Sequence, residues 1–541
     1  MLEHFFATMA YIINGIEMGY NSVFFLGGVL IFLGVLYLLR GRARTVWILL
    51  MNLIFYVWAG GRAGLAVILA TCVIVYMTGR RMETIYAGFE TEKKGLTPKE
   101  QMGLLNCYKK RTRRYLWLAL FLIFGAWAAV KAGKLCIGQT TDSFREMIAG
   151  KGIIVPLGIS YYTLSSAGYL LDVYWRKTKP EHNFLDLFTV MTYFPHIVQG
   201  PIGKYNRLTG QLKNLPKFDY ERVCFGLQLM LWGYIKKLVI ADRLALFTST
   251  VFAEPSNFAG TEIFLAVVLC AIELYADFSG CMDIVGGISQ AIGIELDVNF
   301  RQPFFAKSAA EFWRRWHITL GTWAKDYIYM PIAISPTYMQ WTWKLKKKYG
   351  KFFSSLLKEL LPLLLVWLFT GLWHGTGYGY IVWGLYWFAL ILLSHAVKPL
   401  TDRFLKHFAI QMDRPLYRAC QSIRTFFLFV IGRMFTVAGG LQGCRLLWKQ
   451  LFAESRIWTF FDGSLYKHGV DRKYFYVVLI GMILMFCVDF WHEKGIRIRK
   501  TIAGLPLPLR WALYLTAMFT IVIFGVYGIG YDAASFIYGA F

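Results

Sequence analysis

Residues 19–39 read GYNSVFFLGGVLIFLGVLYLL, an uncharged stretch of 21 residues. At 1.5 Å rise per residue it makes a helix of about 31 Å, matching a bilayer hydrocarbon thickness of about 30 Å. Arg40, Arg42 and Arg44 follow, and two more apolar runs, 46–59 and 65–78, lead to Arg80 and Arg81. If the Arg40 loop is cytoplasmic, two crossings return the chain to the cytoplasm at Gly79, where the next basic cluster begins. No Lys or Arg precedes Arg40, so a cleavable signal peptide with a basic leading region is not expected and the N-terminus should stay attached.

The same pattern continues through all 541 residues. The chain is 57% hydrophobic and 18% aromatic, with a mean hydropathy of +0.46, which excludes a string of soluble domains. Further apolar runs lie at 115–130, 153–173, 184–198, 223–240, 263–276, 361–369, 380–396, 425–431, 474–490 and 513–526. The expected fold is all-α: a polytopic membrane bundle of about 11–13 membrane elements around a central channel. Several elements are short or broken by Gly and Pro, notably 194–203 and 371–379. Irregular backbone at membrane depth is tolerated only inside protein or beside a cavity. We expect a single domain over 1–541, with a core at 19–398 and a C-terminal helical extension at 399–541.

Lys and Arg number 58 against 32 Asp and Glu, a formal net charge of +26. Such an excess can mark a nucleic-acid partner, but here it is parcelled into short clusters between apolar runs, so no nucleic acid is expected and the charge reads as topology. The segment 79–114 holds ten Lys/Arg and four Glu and should lie on the cytoplasmic face, anchored to lipid at about 1 kcal/mol per basic side chain near an anionic leaflet. Nine cysteines without a C-x-x-C pair read as reduced core residues, and no metal site is expected.

Ionisable residues in apolar context carry the functional signal, because a charge at the bilayer centre costs about 2.5–3.5 kcal/mol even on the lenient scale. In Phe312-Trp313-Arg314-Arg315-Trp316-His317-Ile318-Thr319-Leu320, helical spacing places His317 within an aromatic stripe of Phe312, Trp313, Trp316, Leu320 and Trp323. In Gly371-Leu372-Trp373-His374-Gly375, the glycines strip bulk from around His374, as close approach of a substrate would need. Histidine is the natural general base for a hydroxyl at neutral pH. A hydrogen-bonded core histidine fits the same residues, and both readings stay open. Glu273 and Asp277 share one helical face; they form a cation or proton path, or they lock the bundle through a facing Lys or Arg. Gly377-Tyr378-Gly379-Tyr380 completes no nucleotide-binding motif.

Taken in order, Pro156 to Ser160, Phe194-Pro195-His196 through Gly200-Pro201, Ala276 to Gly280, Asn299-Phe300, Pro303-Phe304, Phe312 to His317, Asp326 to Tyr329 and Trp373-His374-Gly375 resemble the blocks of the membrane-bound O-acyltransferase (MBOAT) family. The long continuation through Phe429 to Phe435 resembles its alginate and peptidoglycan O-acetylation branch, although Pro331-Ile332-Ala333-Ile334 stands where that branch usually has Pro-Leu-Gly-Gly, and Gly539-Ala540-Phe541 is an atypical ending. The resemblance implies transfer of an acetyl group from cytosolic acetyl-CoA across the cell (inner) membrane to an exported polysaccharide. No bound cofactor is implied, and a separate extracytoplasmic esterase-like acyltransferase is the implied partner. His374 matches the principal catalytic histidine and His317 the second, supporting the substrate or the developing oxyanion. Arg314, Arg315, Trp316, Lys325, Asp326 and Trp373 are then candidate substrate or CoA contacts. D-alanyl transfer to teichoic acid is the alternative within the class, and a transporter or channel using Glu273 and Asp277 the alternative outside it.

Overall fold

The computed structural model describes residues 23–138, 156–438 and 440–527. Residues 19–22, 153–155 and 539–541, named above, lie outside them. Every named element is helical, and the described residues hold no strand beyond one isolated bridge, Phe300 to Trp316.

Five helices build the N-terminal half: α1 (Val23–Leu38), α2 (Arg42–Glu92), α3 (Pro98–Gly138), α4 (Ile159–Tyr174) and the short α5 (Phe184–Met191). As one rod, α2 would exceed twice the bilayer thickness, but Gly61 interrupts it at φ 70°. The hydrogen bonds show a reversal there. Asn52 donates to the Thr189 carbonyl at 3.1 Å and Tyr76 to the His182 carbonyl at 2.8 Å, whereas a straight helix would hold Asn52 and Tyr76 about 36 Å apart. The two crossings read from the flanking arginines are therefore the two arms of α2.

After α6 (Tyr205–Lys213), the centre of the bundle is a helix pair, α7 (Tyr220–Tyr234) and α9 (Gly260–Ile292), joined through a π-helical segment, Ile235–Ala241, and α8 (Asp242–Ala253). The pair packs antiparallel on glycines seven residues apart: Gly226 faces Gly287 and Gly233 faces Gly280. A methyl group on Gly287 would meet the Gly226 carbonyl at 2.5 Å, and one on Gly233 the Gly280 carbonyl at 2.6 Å. Small residues let helix backbones meet where lipid supplies no hydrophobic drive. Gly287→Ala should therefore cost about 1–3 kcal/mol through overpacking, read as a lower melting temperature in detergent, whereas Gly286→Ala, which meets only the Leu229 side chain at 3.6 Å, should leave it unchanged.

The stretch expected to be one helical stripe is instead two short helices, α10 (Ala309–Arg315) and α11 (Ile318–Ala324). Trp316 is extended (φ −111°, ψ 130°) and His317 left-handed (φ 46°, ψ 50°). Neither Gly nor Pro causes the break. The preceding strand-like segment holds it open: Arg301 N donates to the Arg315 carbonyl and Ile318 N to the Asn299 carbonyl. The stretch 344–358 is rich in lysine. It is the turn of a helical hairpin inside α12 (Pro336–His374), reversing at Gly350 (φ 82°), with Tyr338 bonded to the carbonyls of Leu357 and Lys358.

The chain ends in α13 (Tyr378–His407), α14 (Pro415–Val437), α15 (Leu441–Leu451), α16 (Arg472–Glu493) and α17 (Leu507–Phe524). The last two dock on the π-helical segment, which frees carbonyls for tertiary bonds. Val526 N reaches the Leu238 carbonyl at 3.0 Å and Arg243 the Phe524 carbonyl at 2.7 Å. Among the described residues nine helices are long and apolar enough to cross a membrane. With the two arms of α2, the shorter apolar α1 and the largely buried α4, the chain is an all-α multi-pass membrane protein. Eight described cysteines are free, and Cys107 and Cys420 are exposed rather than in the core.

Candidate active site

His374 is the last residue of α12, and His317 forms the left-handed corner between α10 and α11. The fold brings them together: the ring centroids are 6.0 Å apart, and the residues are only 4% and 2% exposed. Aromatic rings close the surroundings. Trp373 and Trp383 stand edge-on to His374 at 4.8 and 5.2 Å, and Phe278 edge-on to His317 at 4.8 Å. Two imidazoles in such a dry setting can exchange protons with a substrate while water is kept from a thioester.

The glycines beside His374 do a different job from the one their sequence suggests. A methyl on Gly371 would meet the Tyr380 carbonyl at 2.5 Å, and the space beside Gly375 is filled by the Tyr380 ring. They seat the turn into α13 and leave no gap for a substrate. Trp373 likewise positions the turn: its indole N–H donates to the Ser160 carbonyl at 3.2 Å, and its own carbonyl accepts from the buried Lys131 ammonium at 2.8 Å. Lys131 was missed in the sequence, yet a lone cation closing an apolar run was the available signal.

His317 is held by Asn299, which is 3% exposed. The Asn299 side-chain oxygen accepts from the Thr319 backbone N–H (3.0 Å) and hydroxyl (2.9 Å) and lies 3.3 Å from His317 Nδ1. The Thr319 hydroxyl in turn accepts from Ile202 N–H at 3.1 Å, tying the corner to the irregular loop after α5.

A cavity of about 530 Å³ adjoins this corner: Ile318 and Thr319, the two residues after His317, are among those that line it, whereas neither histidine does. Lys204, Arg207, Arg301, Asp172, Asp297 and Asp326 line it. Asp326 pairs with Lys204 at 2.9 Å and holds that ammonium above the usual lysine range, so it stays charged at neutral pH. Two of its lining residues lie near the basic 79–114 segment: a methyl on Gly79 would meet the Tyr169 hydroxyl at 3.4 Å, and Tyr205 donates to Glu181, whose neighbour His182 contacts Glu83.

The other candidates fall apart from one another. The Trp316 ring is 2% exposed and packs among Phe300, Phe312 and Phe429. Arg315 is bidentate to Glu493 (2.6 and 3.1 Å) and bonded to Glu311 (2.8 Å), tying α16 to the histidine corner. Arg314 and Lys325 are exposed. Glu273 accepts from the Thr248 hydroxyl at 2.6 Å, and Asp277 pairs with Lys237 at 2.6 Å, which also holds Asp242 at 2.8 Å. Both carboxylates thus bind neighbouring helices rather than lining the cavity.

Two apposed, buried histidines in a helical membrane bundle, one of them adjoining residues that line a polar cavity, are an arrangement suited to acyl transfer. Residues 178–340 match the profile described as MBOAT, membrane-bound O-acyltransferase family, a span that includes His317 and stops short of His374. The chain is 28% identical over 432 residues to the probable alginate O-acetylase AlgI of Pseudomonas aeruginosa, covering 78% of this chain and 72% of that protein. It is 29% identical over 342 residues to a peptidoglycan O-acetyltransferase of Helicobacter pylori (56% and 59%), and 28% identical over 234 residues to a teichoic acid D-alanyltransferase of Bacillus subtilis (42% and 56%). The chain belongs to the membrane-bound O-acyltransferase family and is an acyltransferase.

Proposed function

We infer that the protein transfers an acetyl group from cytosolic acetyl-CoA to hydroxyls of a polysaccharide beyond the cell membrane. The observation that carries this reading is the buried His317 and His374 pair, with a cavity beside it that Ile318 and Thr319 line. The amide-rich arm of CoA suits a cavity lined by paired charges and apolar walls. Its phosphates would rest on Arg301, which is exposed and lines the cavity, with the exposed Arg314 and Lys325 as further candidates. His374 would take the proton of the attacking hydroxyl as it closes on the thioester carbonyl, and the departing thiolate would take a proton in turn. Similarity to an alginate and a peptidoglycan O-acetylase supports acetyl as the group and a cell-envelope polymer as the destination. A separate extracytoplasmic esterase-like protein would carry the group onward.

D-alanyl transfer is the second reading, favoured by the similarity to a teichoic acid D-alanyltransferase. Purified protein in nanodiscs should release thiol from acetyl-CoA in the presence of a polysaccharide acceptor and leave a D-alanyl carrier-protein thioester intact. The reverse pattern would select the second reading. A transporter with Glu273 and Asp277 as its ion path finds no support in their bonded geometry.

A further inference from the structure

The resemblance left His317 two roles: supporting the substrate, or donating to the oxyanion that develops on the thioester carbonyl. Donating to the oxyanion and accepting from a substrate hydroxyl or amide need opposite tautomers. A neutral imidazole carries one proton; a donor to an oxyanion needs it on the nitrogen that faces the substrate, and a hydrogen-bond acceptor needs that nitrogen bare.

The bonds around Asn299 decide which is present. The Thr319 backbone N–H, 3.0 Å away, can only donate, so the Asn299 atom it meets is the carbonyl oxygen and not the amide nitrogen. The Asn299 NH₂ group points the other way, to the Met282 sulfur at 3.2 Å. The Thr319 hydroxyl already accepts from Ile202 N–H, which leaves its proton for the same Asn299 oxygen at 2.9 Å. His317 Nδ1 faces that oxygen at 3.3 Å, so Nδ1 bears the proton and Nε2 the lone pair. The backbone reinforces this arrangement. The Asn299 carbonyl accepts from Ile318 N at 3.0 Å, so one residue grips the left-handed corner through both its main chain and its side chain.

We propose that Asn299 is a positioning residue that locks His317 in the Nδ1–H tautomer, making His317 a hydrogen-bond acceptor toward the substrate rather than a donor to the oxyanion. This deepens the acyl-transfer reading and rests on it for the kinetic consequence alone; the tautomer is a property of the protein.

The test uses the full-length protein in lipid bilayers with ¹⁵N-labelled histidine, the His317 signals being assigned by their loss in His317→Gln. The spectrum at neutral pH should show Nδ1 protonated and Nε2 bare. In Asn299→Leu the Nε2–H form should gain population, and kcat should fall about 100-fold with KM for the donor within about threefold of native. Asn299→Asp keeps an acceptor opposite Nδ1. It should retain the tautomer and most of kcat, with the rising limb of the pH profile moved to higher pH because a carboxylate there favours the imidazolium. A native spectrum with Nε2 protonated overturns the proposal, as does Asn299→Leu with native tautomer and native kcat. If Asn299→Leu does not fold, an Asn299→Asp profile superimposing on the native one does the same. Loss of transfer from every donor with the expected spectrum would count against the acyl-transfer reading and uphold the tautomer lock.

Discussion

His374→Ala should abolish acyl transfer while leaving a folded protein. The side chain ends a helix whose position is fixed by others: Trp373 bonds Ser160, Lys131 caps the Trp373 carbonyl, and Gly371 packs on the Tyr380 carbonyl. None of these contacts uses the imidazole, although the ring itself packs edge-on against Trp373 and Trp383; His374→Gln, which keeps much of that bulk, should lose transfer to the same extent and so separates chemistry from packing. A positioned general base contributes about 10²–10⁴ in rate. The expected result is a fall in kcat of about 1,000-fold, with melting temperature close to native. Glu273→Gln is the matched control: its partner is the Thr248 hydroxyl, and kcat should stay within about twofold of native.

Lys237→Met should have the largest effect on stability. Lys237 lies in the π-helical segment, is 1% exposed and holds both Asp277 and Asp242. Removing the ammonium takes away the cation that both buried carboxylates contact, at 2.6 and 2.8 Å. Breaking a buried pair by deleting one partner costs about 3–5 kcal/mol, and the second carboxylate adds repulsion. Thermal unfolding in detergent should show a clear drop for Lys237→Met and recovery of most of it when Asp242→Asn and Asp277→Asn are added. The same loss in the triple variant would mean that the cluster stabilises through packing and not through charge.

What the sequence revealed and concealed divides along physical lines. Spanning helices were legible because length and apolarity are summed over about twenty residues, so no single residue decides the reading. The arginines at 40–44 and 80–81 even anticipated the reversal of α2, since parity requires two crossings between them. The histidines were legible as ionisable groups in apolar surroundings. The break at Trp316 and His317 was not: helical periodicity runs through the stretch without Gly or Pro, and the corner is imposed by Asn299 and Arg301, 18 and 16 residues upstream. Arg315 was read as a ligand contact because Glu493, its partner, is 178 residues away. The glycines at 371 and 375 suggested open space, whereas Tyr380 fills it. Gly226 and Gly233 against Gly280 and Gly287 carried a readable seven-residue spacing, which becomes evident once two helices are considered as a pair.

The most direct test of the account places label on one side of the membrane and reads it on the other. Acetyl-CoA carrying labelled acetyl is supplied to sealed vesicles on the face bearing the basic 79–114 segment, with a polysaccharide acceptor and its esterase-like partner enclosed. The account predicts labelled ester on the enclosed polymer with the native protein and none with His374→Ala. Equal labelling by the two proteins would contradict it.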